Sequence, residues 1–142
     1  LQFRARNEWI GGTHNRTTVN EVYGAGELHA REKSFVLEKD EPVFLLGTDK
    51  GANPVEHLLA ALAGCLTTTL VYFAAAEGVR LDRIASRFEG DINVLGFLGI
   101  DPSRRTGCEE IRVTFDIEAD APREEIERLV QLAQERSGVF DM

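Results

Sequence analysis

Two residues in this chain could act as soft nucleophiles, Cys65 and Cys108. A thiol reacts as its thiolate, which forms where a cation, a helix N-terminus or converging donors depress its pKa. Neither cysteine belongs to a Cys-x-x-Cys pair, so a zinc ribbon or thioredoxin-type site is not expected. Cys65 closes the run Ala60-Ala61-Leu62-Ala63-Gly64-Cys65. A cysteine in such surroundings often just fills space. A reactive Cys65 needs help from outside its helix, because it lies about three turns from the helix start, beyond the reach of the dipole. Arg16, in Gly11-Gly12-Thr13-His14-Asn15-Arg16, is the candidate cation, with Arg4 and Arg6 behind it. Glu56 stands near the helix start as a helper or as a simple first-turn charge. His14 and His57 lack metal-ligand spacing, although His57 is close enough to the helix start to line a pocket. His29 reads as a strand surface residue. Cys108 opens a strand and reads as incidental.

Several functions are disfavoured. The net charge of −8 argues against nucleic acid, whose phosphates need clustered Lys and Arg. No phosphate-binding Gly-rich loop or Gly-x-Ser-x-Gly elbow is present. No metal or organic cofactor is expected. Nothing at the N-terminus reads as a signal peptide, so a reducing cytoplasm is the expected setting. The run Leu58–Ala76 lacks charge and approaches the length of a membrane span. Gly64 and Thr67-Thr68-Thr69 weaken it, and no Lys or Arg cluster flanks it. It reads instead as a helix buried in a protein core, and complete burial in so small a chain implies cover from a second subunit.

The elements that must position these residues follow from pattern. One α+β domain over 1–142 is expected. Residues 1–50 read as a β-meander with turns at Gly11-Gly12 and Gly24-Ala25-Gly26, and with one or two strands in Phe35–Leu46 around Glu41-Pro42. A central helix spans 54–77, from the Asn53-Pro54 start to the Gly78 stop. A β-hairpin occupies 84–118, with strands in Ile84–Phe97 and Glu110–Glu118 and a loop at Gly99–Gly107. Ile111, Val113, Phe115 and Ile117 share one face of its second strand. A second helix covers 122–136, with Ile126, Leu129, Val130 and Ala133 on its apolar face.

The segment Asn53-Pro54-Val55-Glu56-His57-Leu58-Leu59-Ala60-Ala61-Leu62-Ala63-Gly64-Cys65 resembles the central-helix motif of the OsmC/Ohr family. The order of strands, Cys-bearing helix, hairpin and acidic-starting helix is similar too, as is the closing Ser137-Gly138-Val139-Phe140-Asp141. The resemblance implies an intertwined homodimer of bent antiparallel sheets around a buried helix. It also implies a peroxidatic thiolate at Cys65 held by an N-terminal Arg and a helix-start Glu, and a resolving cysteine that closes the cycle as a disulfide. Ser137 stands where that resolving cysteine falls, and Val55 where the Glu falls, with Glu56 one residue later.

The expected function is therefore reduction of organic or lipid hydroperoxides by Cys65, with Arg16 and Glu56 as partners and an external thiol as reductant. A homodimer with no nucleic-acid and no membrane partner is expected. The alternative is a non-catalytic dimeric binder of a small hydrophobic or electrophilic ligand. A third reading keeps the dimer with an inert Cys65.

Overall fold

The computed structural model describes all residues, 1–142. It is α+β, with two antiparallel sheets and three helices. The chain divides into two compact units, Leu1–His57 and Leu58–Met142.

The first unit is a four-stranded sheet. Strand β3 (His14–Gly24) is its centre. β1 (Gln2–Phe3) and β2 (Arg6–Gly11) follow one another along one edge of β3, and β4 (Glu27–Lys39) pairs along the other. Ala25 and Gly26 join β3 to β4 with φ of 51° and 86°. Two positive φ values in a two-residue loop make the hairpin turn whose twist suits paired strands. β4 runs unbroken through Phe35 to Lys39 and no strand follows Pro42, so the second strand expected before Leu46 is absent. Pro42 has no N–H for a ladder. Val43–Leu45 instead forms a single 3₁₀ turn.

Asp40 holds that region together. It is 1% exposed. One carboxylate oxygen accepts from the Thr13 hydroxyl at 2.5 Å and the Glu41 N–H at 2.9 Å. The other accepts from the Thr48 hydroxyl at 2.6 Å, the Thr48 N–H at 3.1 Å and the Lys50 N–H at 3.3 Å. These bonds, led by the two hydroxyls, hold its carboxyl far below the usual carboxylate range. A depressed folded pKa gives stability that is complete above the unfolded value of ~3.9 and lost as pH falls through the folded value. Asp40→Ala should therefore lower the Tm at pH 7 by at least ~5 °C, because it removes the one carboxylate on which five hydrogen bonds converge. The deficit should shrink in strong acid, as followed by circular dichroism.

The central helix α1 (Pro54–Ala76) starts with a capping box. The Asn53 side-chain oxygen accepts from the Glu56 N–H at 2.9 Å, and the Glu56 carboxylate accepts from the Asn53 N–H at 2.7 Å. After Ala76, Gly78 takes φ +74° and the Val79 N–H reaches back to the Ala74 carbonyl.

In the second unit, β5 (Leu81–Ile92) and β6 (Cys108–Ala119) pair as a long antiparallel hairpin. The alternation expected in β6 is present from Val113 on: Val113, Phe115 and Ile117 are half-buried between exposed neighbours, whereas Ile111, expected on the same face, is exposed. Strand β5 begins and ends earlier than expected. Asn93 stops it by accepting from the Leu95 N–H at 3.1 Å and the Gly96 N–H at 3.5 Å. Those bonds start a one-turn helix, α2 (Val94–Phe97), where the sequence suggested more strand. Helix α3 (Arg123–Arg136) completes the unit.

Leu62, Leu66, Leu70 and Ala74 are buried at i+4 spacing along one stripe of α1. Leu70 and Ala74 meet Leu129 and Ala133 of α3, with Ile84 and Ile117 of the hairpin packed alongside. Leu129 is wholly buried, so Leu129→Ala should destabilise by about 2–5 kcal/mol in urea unfolding. The complete burial expected for α1 does not occur within one chain. Leu58, Val71 and Tyr72 are 47%, 42% and 70% exposed. The helix is long and apolar enough to cross a membrane by length and composition. Its buried stripe, however, is committed to the α3 and hairpin core.

Candidate functional site

Cys65 lies on α1, one turn beyond Leu62 and next to the buried Leu66. It is a free, partly buried thiol. Its neighbours come from the turn that follows α3. Helix α3 ends at Arg136, and Ser137 takes an extended conformation at φ −79°, ψ 116°. The chain then folds back. The Phe140 N–H donates to the Ser137 hydroxyl oxygen at 3.2 Å, and the Asp141 N–H donates to the Ser137 carbonyl at 3.1 Å. Ser137 is 1% exposed.

This turn presents donors to the sulfur. The Ser137 hydroxyl, then the Val139 N–H, lower the Cys65 pKa, with smaller help from the Thr69 hydroxyl and the Gly138 N–H. Partial burial opposes them. The net direction is downward, and the leading causes are uncharged donors. Thr69 has only one hydroxyl proton, and it already donates to the Cys65 carbonyl at 2.8 Å. Ser137 and the Val139 N–H are therefore the main donors.

A groove of about 600 Å³ begins at the same turn. Leu58, Leu62, Cys108, Val139, Phe140 and Met142 line it. Val139 thus borders the groove with its side and the thiol with its N–H. Cys108 sits on the groove wall beside Gly90, where an added methyl would meet its sulfur at 3.4 Å.

The other candidates are engaged in bonds of their own. The Arg16 guanidinium donates to the Glu38 carboxylate at 2.6 Å. His14, 9% exposed, reaches the other oxygen of the same carboxylate at 2.8 Å. These contacts, Arg16 first, hold the Glu38 carboxyl below its ordinary value. The His57 ring nitrogen lies 3.2 Å from the Glu38 carbonyl oxygen. Glu56 is occupied in the capping box, so its carboxylate serves the helix start. Arg4 pairs with Glu21 at 3.3 Å. His29 is exposed on β4, as expected. No group of three or more His, Cys, Asp or Glu side chains is arranged to hold a metal ion.

Sequence reasoning missed Glu38 and Asp40, which carry no motif. It singled out Ser137 only as a thiol that is not there. The backbone donors at Gly138 and Val139 have no side-chain signature at all.

The family model for OsmC-like proteins matches residues 47–142, including Cys65 and the Ser137 turn. The chain belongs to the OsmC family. Solved structures of OsmC-like proteins share its fold. One from Mycoplasma pneumoniae superposes with a TM-score of 0.73 at 16% identity, covering 99% of this chain and 86% of that one. An OsmC-like protein of unknown function from Vibrio cholerae gives 0.72 at 12% identity, covering 99% and 92%. An organic hydroperoxide resistance protein OsmC from Legionella pneumophila gives 0.65 at 16% identity, covering 99% and 88%. No curated protein matches the sequence significantly.

Proposed function

We propose that this OsmC-family protein reduces organic or lipid hydroperoxides through Cys65, with an external thiol as reductant. The carrying observation is Cys65 itself: a free, partly buried thiol on the central helix of an OsmC-family chain, its pKa drawn down by the Ser137 hydroxyl and then the Val139 N–H. Family membership supports a stress-related redox role, and one similar structure is an organic hydroperoxide resistance protein. The groove beside Val139 is mostly apolar, with Arg105, Glu109 and Glu110 also on its wall, and that lining suits a carbon chain better than hydrogen peroxide.

The chemistry balances without a metal. The Cys65 thiolate attacks the outer peroxide oxygen. An S–O bond forms as the O–O bond breaks, sulfur loses two electrons, and the alkoxide leaves with the proton of the hydroperoxide as an alcohol. The product is a sulfenate. Ser137 carries no sulfur, so it cannot close a disulfide on this intermediate. An external thiol then condenses with the sulfenic acid and releases water. A second equivalent frees Cys65 as the external disulfide departs. Arg16 and Glu56 stay the proposed partners of the thiolate; within one chain they are bonded to Glu38 and to the Asn53 N–H. The proposal includes a homodimer, supported by the open apolar face of α1 at Leu58, Val71 and Tyr72. It also places the protein in a reducing cytoplasm, the compartment that supplies external thiols.

A binding protein that uses the groove without turnover is the second reading, favoured by the size of the groove. Stopped-flow mixing with cumene hydroperoxide and with hydrogen peroxide, followed by mass spectrometry, separates the two. Sulfenic acid at Cys65, formed faster by the organic peroxide, supports turnover. Unreacted Cys65 with both peroxides, or a measured thiol pKa at or above ~8.5, sinks it.

A further inference from the structure

The central strand β3 loses both of its neighbours at one place. On one side Phe3 pairs with Val22 and Arg6 with Thr18, so Arg4 and Ala5 leave the ladder opposite Val19–Glu21. On the other side Val19 pairs with Phe35 and Glu21 with Ala30, so four residues of β4, 31 to 34, oppose the single Asn20. A bulge of this kind frees groups from the ladder and re-aims side chains. Two buried side-chain atoms have no hydrogen-bond partner, Asn20 Oδ1 and Arg31 Nη1, and both belong to this irregularity. A buried polar atom without a partner costs stability, so each such atom calls for a reason.

A hollow of about 220 Å³ lies at this opening, lined by Arg4, Arg6, Thr18, Asn20, Glu21 and Ser34. Arg4 and Glu21 offset one another as an ion pair at 3.3 Å. Arg6 takes part in none of the ion pairs of this sheet. The lining therefore offers one uncompensated cation, two hydroxyls and one unfilled acceptor. A guanidinium suits an oxyanion because its N–H groups can meet two oxygens at once. Asn20 Oδ1 adds a condition. It is an acceptor, so it repels any ligand oxygen that carries no proton.

We propose that this hollow binds inorganic phosphate, its charged oxygens on Arg6, Thr18 and Ser34 and its P–OH donating to Asn20 Oδ1. Inorganic phosphate keeps a P–OH in both of its forms near neutral pH. Sulfate has none. A phosphomonoester gives up its last proton with a pKa of ~6, so it too arrives without a donor. Bound phosphate would supply the partner that the sheet withholds from Asn20. The site lies within the first unit, Leu1–His57, and does not depend on the reaction proposed for Cys65.

The test titrates the isotope-labelled full chain by NMR with sodium phosphate, sodium sulfate and methyl phosphate in turn. Ionic strength is held constant with chloride, at a pH of about 8, where the monoester is fully ionised. Phosphate should produce saturable shifts of the Arg6, Thr18, Asn20 and Ser34 amides. Sulfate and methyl phosphate should bind at least ~tenfold more weakly, because each leaves Asn20 Oδ1 facing a lone pair. Arg6→Gln, at an exposed position, should lose the phosphate shifts. Phosphate that gives no saturable shift at these amides overturns the proposal. Sulfate or methyl phosphate binding as well as phosphate overturns it too, as does phosphate binding that survives Arg6→Gln. If that variant does not fold, the comparison of the three anions on the unaltered protein decides.

Discussion

Cys65→Ser is expected to bring hydroperoxide consumption down to the rate measured without protein, with Cys108 left in place. The substitution keeps a small polar side chain on α1 and leaves the donors of Ser137, Gly138 and Val139 where they are. What it removes is the atom that can ionise near neutral pH and accept oxygen. A serine hydroxyl forms no comparable anion and cannot become a sulfenic acid. Cys108 is a poor substitute because it lies on the groove wall beside Gly90 and Leu59 rather than at the turn after α3. Consumption is measured with cumene hydroperoxide and excess thiol, and the folded state is checked by circular dichroism. Turnover that survives in Cys65→Ser would move the chemistry to Cys108 and end the assignment.

Ser137→Cys should have the opposite character and add a reaction. The Ser137 hydroxyl is the leading group that lowers the Cys65 pKa, which sets the two side chains near one another. A cysteine there places a second sulfur at the same point of the turn, in a site that is 1% exposed. One equivalent of organic hydroperoxide should then yield a disulfide between Cys65 and the introduced thiol, in place of a lasting sulfenic acid. The mass readout is distinct, because the variant loses two hydrogens while the starting protein gains one oxygen. The variant should resist dimedone, which traps sulfenic acid, and it should turn over with a dithiol reductant. Continued dimedone labelling with no disulfide would mean that the two side chains do not meet as the turn geometry requires. This result also bears on the reductant. If adding a thiol at this position relieves the need for an external monothiol, then the serine creates that need.

Much of the fold was legible because its signals are local. Asn53-Pro54 and Glu56 announce a helix start through bonds made within four residues of one another. Gly78 announces the stop through its own positive φ. Ile111 to Ile117 alternates because a strand with one covered face has a period of two. The misreadings came where a side chain or a neighbouring strand overruled the local pattern. Ile84–Phe97 looks strand-forming throughout, but Asn93 takes the Leu95 and Gly96 N–H groups and turns the chain into α2. Phe35–Leu46 reads as one or two strands of its own, yet pairing with β3 makes Phe35–Lys39 the end of the longer strand β4.

The site divides along the same line. Residue types and order by themselves determined that Cys65 is the thiol to watch, that it rides on an apolar helix, and that the segment around it is of the OsmC kind. They also showed that Ser137 withholds a second sulfur. Only the tertiary structure decided what surrounds that thiol. Cys65 and Ser137 are 72 positions apart in the chain, and their meeting depends on α3 packing against α1 through Leu70, Ala74, Leu129 and Ala133. Two of the remaining donors, at Gly138 and Val139, are backbone N–H groups that every non-proline residue possesses. A sequence cannot mark which of them point at a sulfur, because that direction is set by the turn after α3 and by the packing that holds the turn in place.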